Sequence, residues 1–136
     1  MATWNLEGMQ QHLLICNGST CMKQGGEEIT VAIRDEIAVC ELDDKIHTTR
    51  TRCNGRCKDK CVVISYPDGI WYNTPTEEVA RAIVHGTVPD AHIVYRYEDD
   101  GLERNTASKA IKGLEKPEGK KTAEKQKNEQ TGGVVL

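Results

Sequence analysis

The sequence predicts an α/β fold, a mixed sheet of about four strands with two or more helices packed on it. Two observations lead there. A strand, a helix and a second strand follow one another between His12 and Thr51, and a unit of that kind sets its two strands parallel and adjacent. Further on, two short apolar runs flank Pro67-Asp68-Gly69, a strong turn sequence, and so form an antiparallel hairpin that leads directly into a helix start.

The elements come in this order. His12-Leu13-Leu14-Ile15-Cys16 is a short apolar run ending at a turn, as a buried strand does. Asn17-Gly18-Ser19-Thr20 has loop composition, and Cys21 closes that loop. From Gly25 a helical pattern sets in, with Ile29, Ala32, Ile33 and Ile37 on one face. Glu27 and Glu28 stand in its first turn, where the helix dipole favours them. Glu41-Leu42-Asp43-Asp44-Lys45 is a polar connection to the Thr-rich Ile46-His47-Thr48-Thr49-Arg50-Thr51, which suits a strand. Val62-Val63-Ile64-Ser65-Tyr66 and Ile70-Trp71-Tyr72 are the arms of the hairpin. In Thr74-Pro75-Thr76-Glu77, Thr74 is the expected N-cap, Pro75 the first helical residue and Glu77 the partner in a capping box. Val79, Ala82 and Ile83 make the inward face of that helix, and Gly86 stops it. Ala91-His92-Ile93-Val94-Tyr95-Arg96-Tyr97 is one more short strand or an extended arm. A parallel pair, an antiparallel hairpin and helices on the sheet together describe the thioredoxin fold.

Length and composition bound the function. At 136 residues the chain suggests one domain, residues 1–106, followed by a charged tail at 107–136. The tail is dominated by Lys, Glu, Gln and Gly and is expected to be disordered, because it cannot bury enough apolar surface to offset its ordering entropy. Phe is absent, so the core must come from Ile, Val, Leu and the two Trp. No run approaches the ~18–20 apolar residues of a membrane span. Met1 to Gln11 lacks the basic start and apolar centre of a signal peptide, so the expected location is the cytoplasm. Residues 1–106 hold 11 Lys/Arg against 17 Asp/Glu, an acidic body that is no nucleic-acid footprint.

In a reducing compartment, clustered cysteines point to metal or redox chemistry rather than to disulfides. Cys53, Cys57 and Cys61 fall within nine residues, and Cys16 and Cys21 bracket a small loop. Four thiolates from two loops suit a [2Fe-2S] cluster. They also suit a tetrahedral zinc site, and spacing alone leaves both open. A thioredoxin-type C-x-x-C is absent, and the C-x3-C-x2-C of a radical-SAM cluster fails because position 60 is Lys. Gly55, inside Cys53-x3-Cys57, lets the backbone curl and aim N–H groups at sulfur, a hydrogen bond that tunes clusters. Cys40 reads as a small buried hydrophobe, and His12, His47, His85 and His92 as scattered surface or packing residues.

Leu14-Ile15-Cys16, Cys21 followed by Gly25, Arg52-Cys53-Asn54-Gly55-Arg56-Cys57 and the block from Val62 to Tyr72 resemble the thioredoxin-like [2Fe-2S] ferredoxins over residues 12–87. That family includes domains within NADH-dehydrogenase and hydrogenase subunits and free-standing bacterial proteins, some associated with cobalamin synthesis. The resemblance implies a [2Fe-2S] cluster held by Cys16, Cys21, Cys53 and Cys57, electron transfer with redox partner proteins and a homodimer. Because no Ser-His-Asp set, Walker loop or dinucleotide fingerprint appears in the sequence, no substrate site is expected. Two departures stand out: the interval between the first two ligands is short, and Cys61 occupies a position where the family commonly has Pro. Arg50, Arg52, Arg56, Lys58 and Lys60 surround the loop and would stabilise added negative charge or dock an acidic partner. The other readings are a binding module stabilised by zinc on four cysteines and a thiol redox enzyme or metal carrier using Cys61.

Overall fold

A computed structural model of the chain describes residues 4–23, 25–56, 61–108, 110, 112–113 and 115. Among them a six-stranded sheet runs in the order β2-β1-β3-β4-β5-β6. The strands are β1 (Gln11–Cys16), β2 (Ile46–Thr51), β3 (Val63–Tyr66), β4 (Ile70–Tyr72), β5 (Ile93–Glu98) and β6 (Gly101–Arg104). The helices are α1 (Ser19–Lys23), α2 (Gly26–Val39) and α3 (Glu77–His85).

The strand–helix–strand unit holds: β1 and β2 pair in parallel from Gln11 opposite Ile46 to Cys16 opposite Thr51. The hairpin holds as well, with β3 and β4 antiparallel and Val63 opposite Tyr72. β3 also pairs antiparallel with β1, which puts β1 in the interior of the sheet. Leu13 and Ile15 of β1 are accordingly fully buried. α2 covers one face with Ile29, Ile33 and Ile37, each buried. Burying a side chain of that size stabilises by about 1.5–3 kcal/mol, so this stripe holds the helix in place. α3 packs against α2 and buries Ala80, Ile83 and Val84.

Three expectations are corrected. The N-cap of α3 is Thr76, whose hydroxyl accepts from the Val79 amide at 3.2 Å, and not Thr74. Pro75 therefore precedes the cap, no Glu stands at the capping-box position, and the buried stripe moves to Ala80, Ile83 and Val84. Thr74 is buried instead, its hydroxyl without a hydrogen-bond partner among the described residues. After a 3-10 turn at Asp90–His92, Ile93–Glu98 is a strand, one of the two expected readings, and β6 returns beside it through Asp99-Asp100, so the sheet has six strands where about four were expected. The β6 signal is weak because Gly101-Leu102-Glu103-Arg104 lies at a sheet edge and needs no apolar alternation. The segment after Cys16, expected as loop, contains the one-turn helix α1.

Trp4, Leu6, Met9, Ile37, Ile46 and Thr48 are among the residues that line an open groove. Most of residues 107–136 lies outside the described residues. Ala110 is buried and its carbonyl accepts from Arg104 Nη1 at 2.9 Å, so contact with the body continues past residue 106. No helix among the described residues is long and apolar enough to cross a membrane.

Candidate metal centre

Strand polarity assembles the site. β1 and β2 are parallel and β3 is antiparallel to β1, so the ends of β1 and β2 and the start of β3 share one edge of the sheet. Cys16 is the last residue of β1, Cys53 follows β2 by two residues, and Cys61 precedes β3 by two. The Cys16 amide donates to the Val62 carbonyl at 2.9 Å, and the Asn17 amide to the Thr51 carbonyl at 2.8 Å, which tie the three strand ends together. Asn17 also donates through Nδ2 to the Ile15 carbonyl and to Thr30 Oγ1 on α2, fixing the turn that leads to Cys21.

Two glycines set how closely these segments approach. A Cβ on Gly18 would lie 2.9 Å from the Cα and amide nitrogen of Cys53. A Cβ on Gly26 would lie 2.9 Å from the Cys21 carbonyl oxygen. Backbone cannot move away as a flexible side chain can, so each position needs hydrogen in place of a side chain. The first contact brings the loop after Cys16 onto Cys53, and the second brings the start of α2 onto Cys21.

Cys16 and Cys21 are each 2% exposed and their sulfurs interact directly. Burial first, then the neighbouring Cys16 sulfur, pushes the Cys21 thiol up to about 12, while the backbone amides of Val62 and Cys61 pull it the other way. Cys16 Sγ lies 3.5 Å from the Arg52 carbonyl oxygen, next to Cys53 in the chain. Cys53 is exposed, and Gly55, at φ +82°, turns its amide onto the Cys53 sulfur at 3.3 Å, the geometry expected from Gly55. Cys57 lies outside the described residues, as do Lys58 and Lys60. Cys61 is 1% exposed, its sulfur 3.7 Å from the Cys21 carbonyl oxygen.

The donor chemistry fits an anionic iron–sulfur cluster. Two predicted ligands, Cys16 and Cys53, lie at one edge with Cys21 beside Cys16, and backbone N–H groups point at the buried Cys21 sulfur and the exposed Cys53 sulfur, where they offset thiolate charge. The surrounding basic residues are partly engaged: Arg50 pairs with Glu27 at 2.7 Å, and Arg56 lies over the Tyr95 ring, 5.2 Å from its centre.

The comparisons fit this geometry. A protein of Priestia megaterium bearing the name "Putative 2Fe-2S ferredoxin" is 48% identical over 121 residues, covering 85% of this chain and 94% of that one. This chain belongs to the 2Fe-2S ferredoxins. A further relative, "Ferredoxin, 2Fe-2S" of Clostridium pasteurianum, is 25% identical over 95 residues, covering 64% of this chain and 93% of its own. A thioredoxin-like [2Fe-2S] ferredoxin from Aquifex aeolicus superposes with a TM-score of 0.57 at 24% identity, covering 70% of this chain and 99% of its own, and establishes the thioredoxin-like fold. No protein-family model matches the chain.

Two side-chain expectations change in this ferredoxin. Cys40 is not a buried hydrophobe. It caps the C-terminus of α2, half-buried, with its sulfur 3.6 Å from Glu36 Oε2 and 3.7 Å from His85 Nε2. His12 and His47 are opposite one another on β1 and β2, ring centres 5.1 Å apart, rather than scattered. Sequence reasoning also passed over Gly18 and Gly26. The available signal was that each lies within five residues of a predicted ligand, where a glycine marks a close backbone approach.

Proposed function

We propose that this ferredoxin is an electron carrier holding one [2Fe-2S] cluster on Cys16, Cys21, Cys53 and Cys57, with no substrate site of its own. The observation that supports the reading is that Cys16 ends β1 with Cys21 against it, Cys53 follows β2 at the same edge, and amides are aimed at Cys21 and Cys53 sulfur. When bound, the cluster takes up and releases one electron. The chain's own residues supply the rest. Cys16 and Cys21 shut water out from the sheet side, because both are buried. The Gly55 amide and those of Val62 and Cys61 offset negative charge on sulfur. Cys53 sits on the exposed face, which gives a partner protein its approach. Arg50 and Arg52 are exposed beside it and suit an acidic redox partner in the cytoplasm. The family resemblance supports a homodimer as the working form.

Anaerobic purification tests this directly. The expected result is about two irons per chain and a spin-half EPR signal on reduction. Stoichiometric zinc at the cysteine loops without iron would overturn it. Single replacements test the ligand set. Cys57→Ser should change or abolish the visible spectrum and Cys61→Ser should leave it intact, because Cys61 is committed to the buried entrance of β3. The reverse pattern would make Cys61 the ligand.

A further inference from the structure

We infer that Glu36, Cys40 and His85 form a second metal site, separate from the cysteine loops, that takes a single divalent ion of the zinc class. Glu36 and Cys40 stand four residues apart at the end of α2 and so project from one face of it. His85 is the last residue of α3, which packs alongside α2. One carboxylate oxygen, one thiol sulfur and one imidazole nitrogen lie within 4.8 Å of one another.

The spacing matches a tetrahedral ion. With Zn–S of about 2.3 Å and Zn–N and Zn–O of about 2.0 Å, tetrahedral angles separate sulfur from its nitrogen and oxygen neighbours by about 3.5 Å. Here sulfur lies 3.6 Å from Glu36 Oε2 and 3.7 Å from His85 Nε2. The third edge, His85 Nε2 to Glu36 Oε2, is 2.6 Å, a hydrogen-bond length. An ion would replace that proton and open the edge to about 3.3 Å, a sub-ångström motion of two side-chain ends.

The surroundings favour a cation. Both helices terminate here, α2 at Val39 with Cys40 as its cap and α3 at His85 before Gly86, and a helix C-terminus carries partial negative charge. The His85 and Glu36 side chains are 43% and 21% exposed, so an ion can enter and keep water as its fourth ligand. Arg81, one turn before His85, acts electrostatically on Glu36 and opposes the cation. The donor set of one sulfur, one nitrogen and one oxygen is borderline in softness, which selects zinc over calcium or magnesium. It differs from the all-thiolate set at the sheet edge. α2 begins against Cys21 and runs 14 residues to its end, about 20 Å, so neither set can borrow the other's ligands. An ion here would clip the ends of α2 and α3 together.

The test uses cluster-loaded protein incubated with equimolar Zn2+ and then desalted. The expected result is one zinc retained per chain with iron unchanged, and zinc-edge X-ray absorption showing one sulfur at about 2.3 Å with nitrogen and oxygen at about 2.0 Å. Cys40→Ser and His85→Gln should each weaken zinc binding at least tenfold in competition with a chromophoric chelator. Iron content and the visible spectrum, unchanged, show that each variant is folded. Cys40→His should retain zinc and lose the sulfur scatterer. No zinc retained by the unaltered protein, a four-sulfur environment with iron lost, or binding unaffected by both variants would each overturn the site.

Discussion

Cys21 and Cys40 flank the same helix, about 20 Å apart, in opposite surroundings. Cys21 is 2% exposed, next to a second sulfur, with the amides of Val62 and Cys61 turned towards it. Cys40 is half-buried at a helix C-terminus, next to a carboxylate and an imidazole. Burial first and a neighbouring group second hold both thiols above their ordinary pKa; for Cys40 that neighbour is the Glu36 carboxylate. The two sites nevertheless suit different ions. Amide N–H groups and several thiolates accommodate a cluster that carries net negative charge, whereas mixed donors at two helix C-termini accommodate one small cation. What surrounds the sulfur, more than the cysteine itself, decides which metal fits.

The largest test of that difference is deletion of one sulfur at each site. Cys16→Ala should take iron from about two per chain to nearly none. Cys40→Ala should leave iron and the visible spectrum unchanged, because Cys40 is remote from the sheet edge. Equal iron loss in both variants would collapse the distinction.

A smaller effect should come from Gly18→Ala. The added carbon would meet the Cys53 backbone at 2.9 Å, and overpacking of that kind costs about 1–3 kcal/mol. The expected readout is a lowered melting temperature together with partial loss of iron. A variant with full iron and unchanged melting would show that the loop tolerates a wider separation.

Charge reversal separates the two regions electrostatically. Arg56→Glu should make the reduction potential more negative, since an added electron is disfavoured by nearby negative charge. Arg81→Glu, beside Glu36 at the far end of α2, should leave it unchanged, because screening in salt removes interactions over that distance. Redox titration of both variants decides it.

The subtlest test is the pH response of protein stripped of metal. The folded Cys21 pKa lies near 12, above its ordinary value of 9.0. The stability contributed by that protonated thiol is therefore complete below pH 9 and declines as pH rises from 9 towards 12. Replacing Cys21 with Ala should flatten the alkaline fall in melting temperature relative to the unaltered apo-protein. An identical alkaline fall in the two proteins would remove Cys21 as its source.

The sequence by itself determined the local elements and the chemistry available to them. The spacing of Ile29, Ile33 and Ile37 specifies an amphipathic helix, and Pro67-Asp68-Gly69 specifies a reversal, because both signals act over a few residues. The resemblance across residues 12–87 supplied the ferredoxin family and the four ligand positions proposed above. Tertiary structure decided what depends on distant segments. Thr76 rather than Thr74 caps α3, and β6 completes the sheet through a strand too polar to announce itself. Gly18 matters because Cys53, 35 positions later, lies against it. Cys40 meets His85 only because α2 and α3 pack side by side, and a juxtaposition of residues 45 apart leaves no periodicity in the chain. Local patterns report one face of one element; which faces meet is set by how the apolar stripes share a single core.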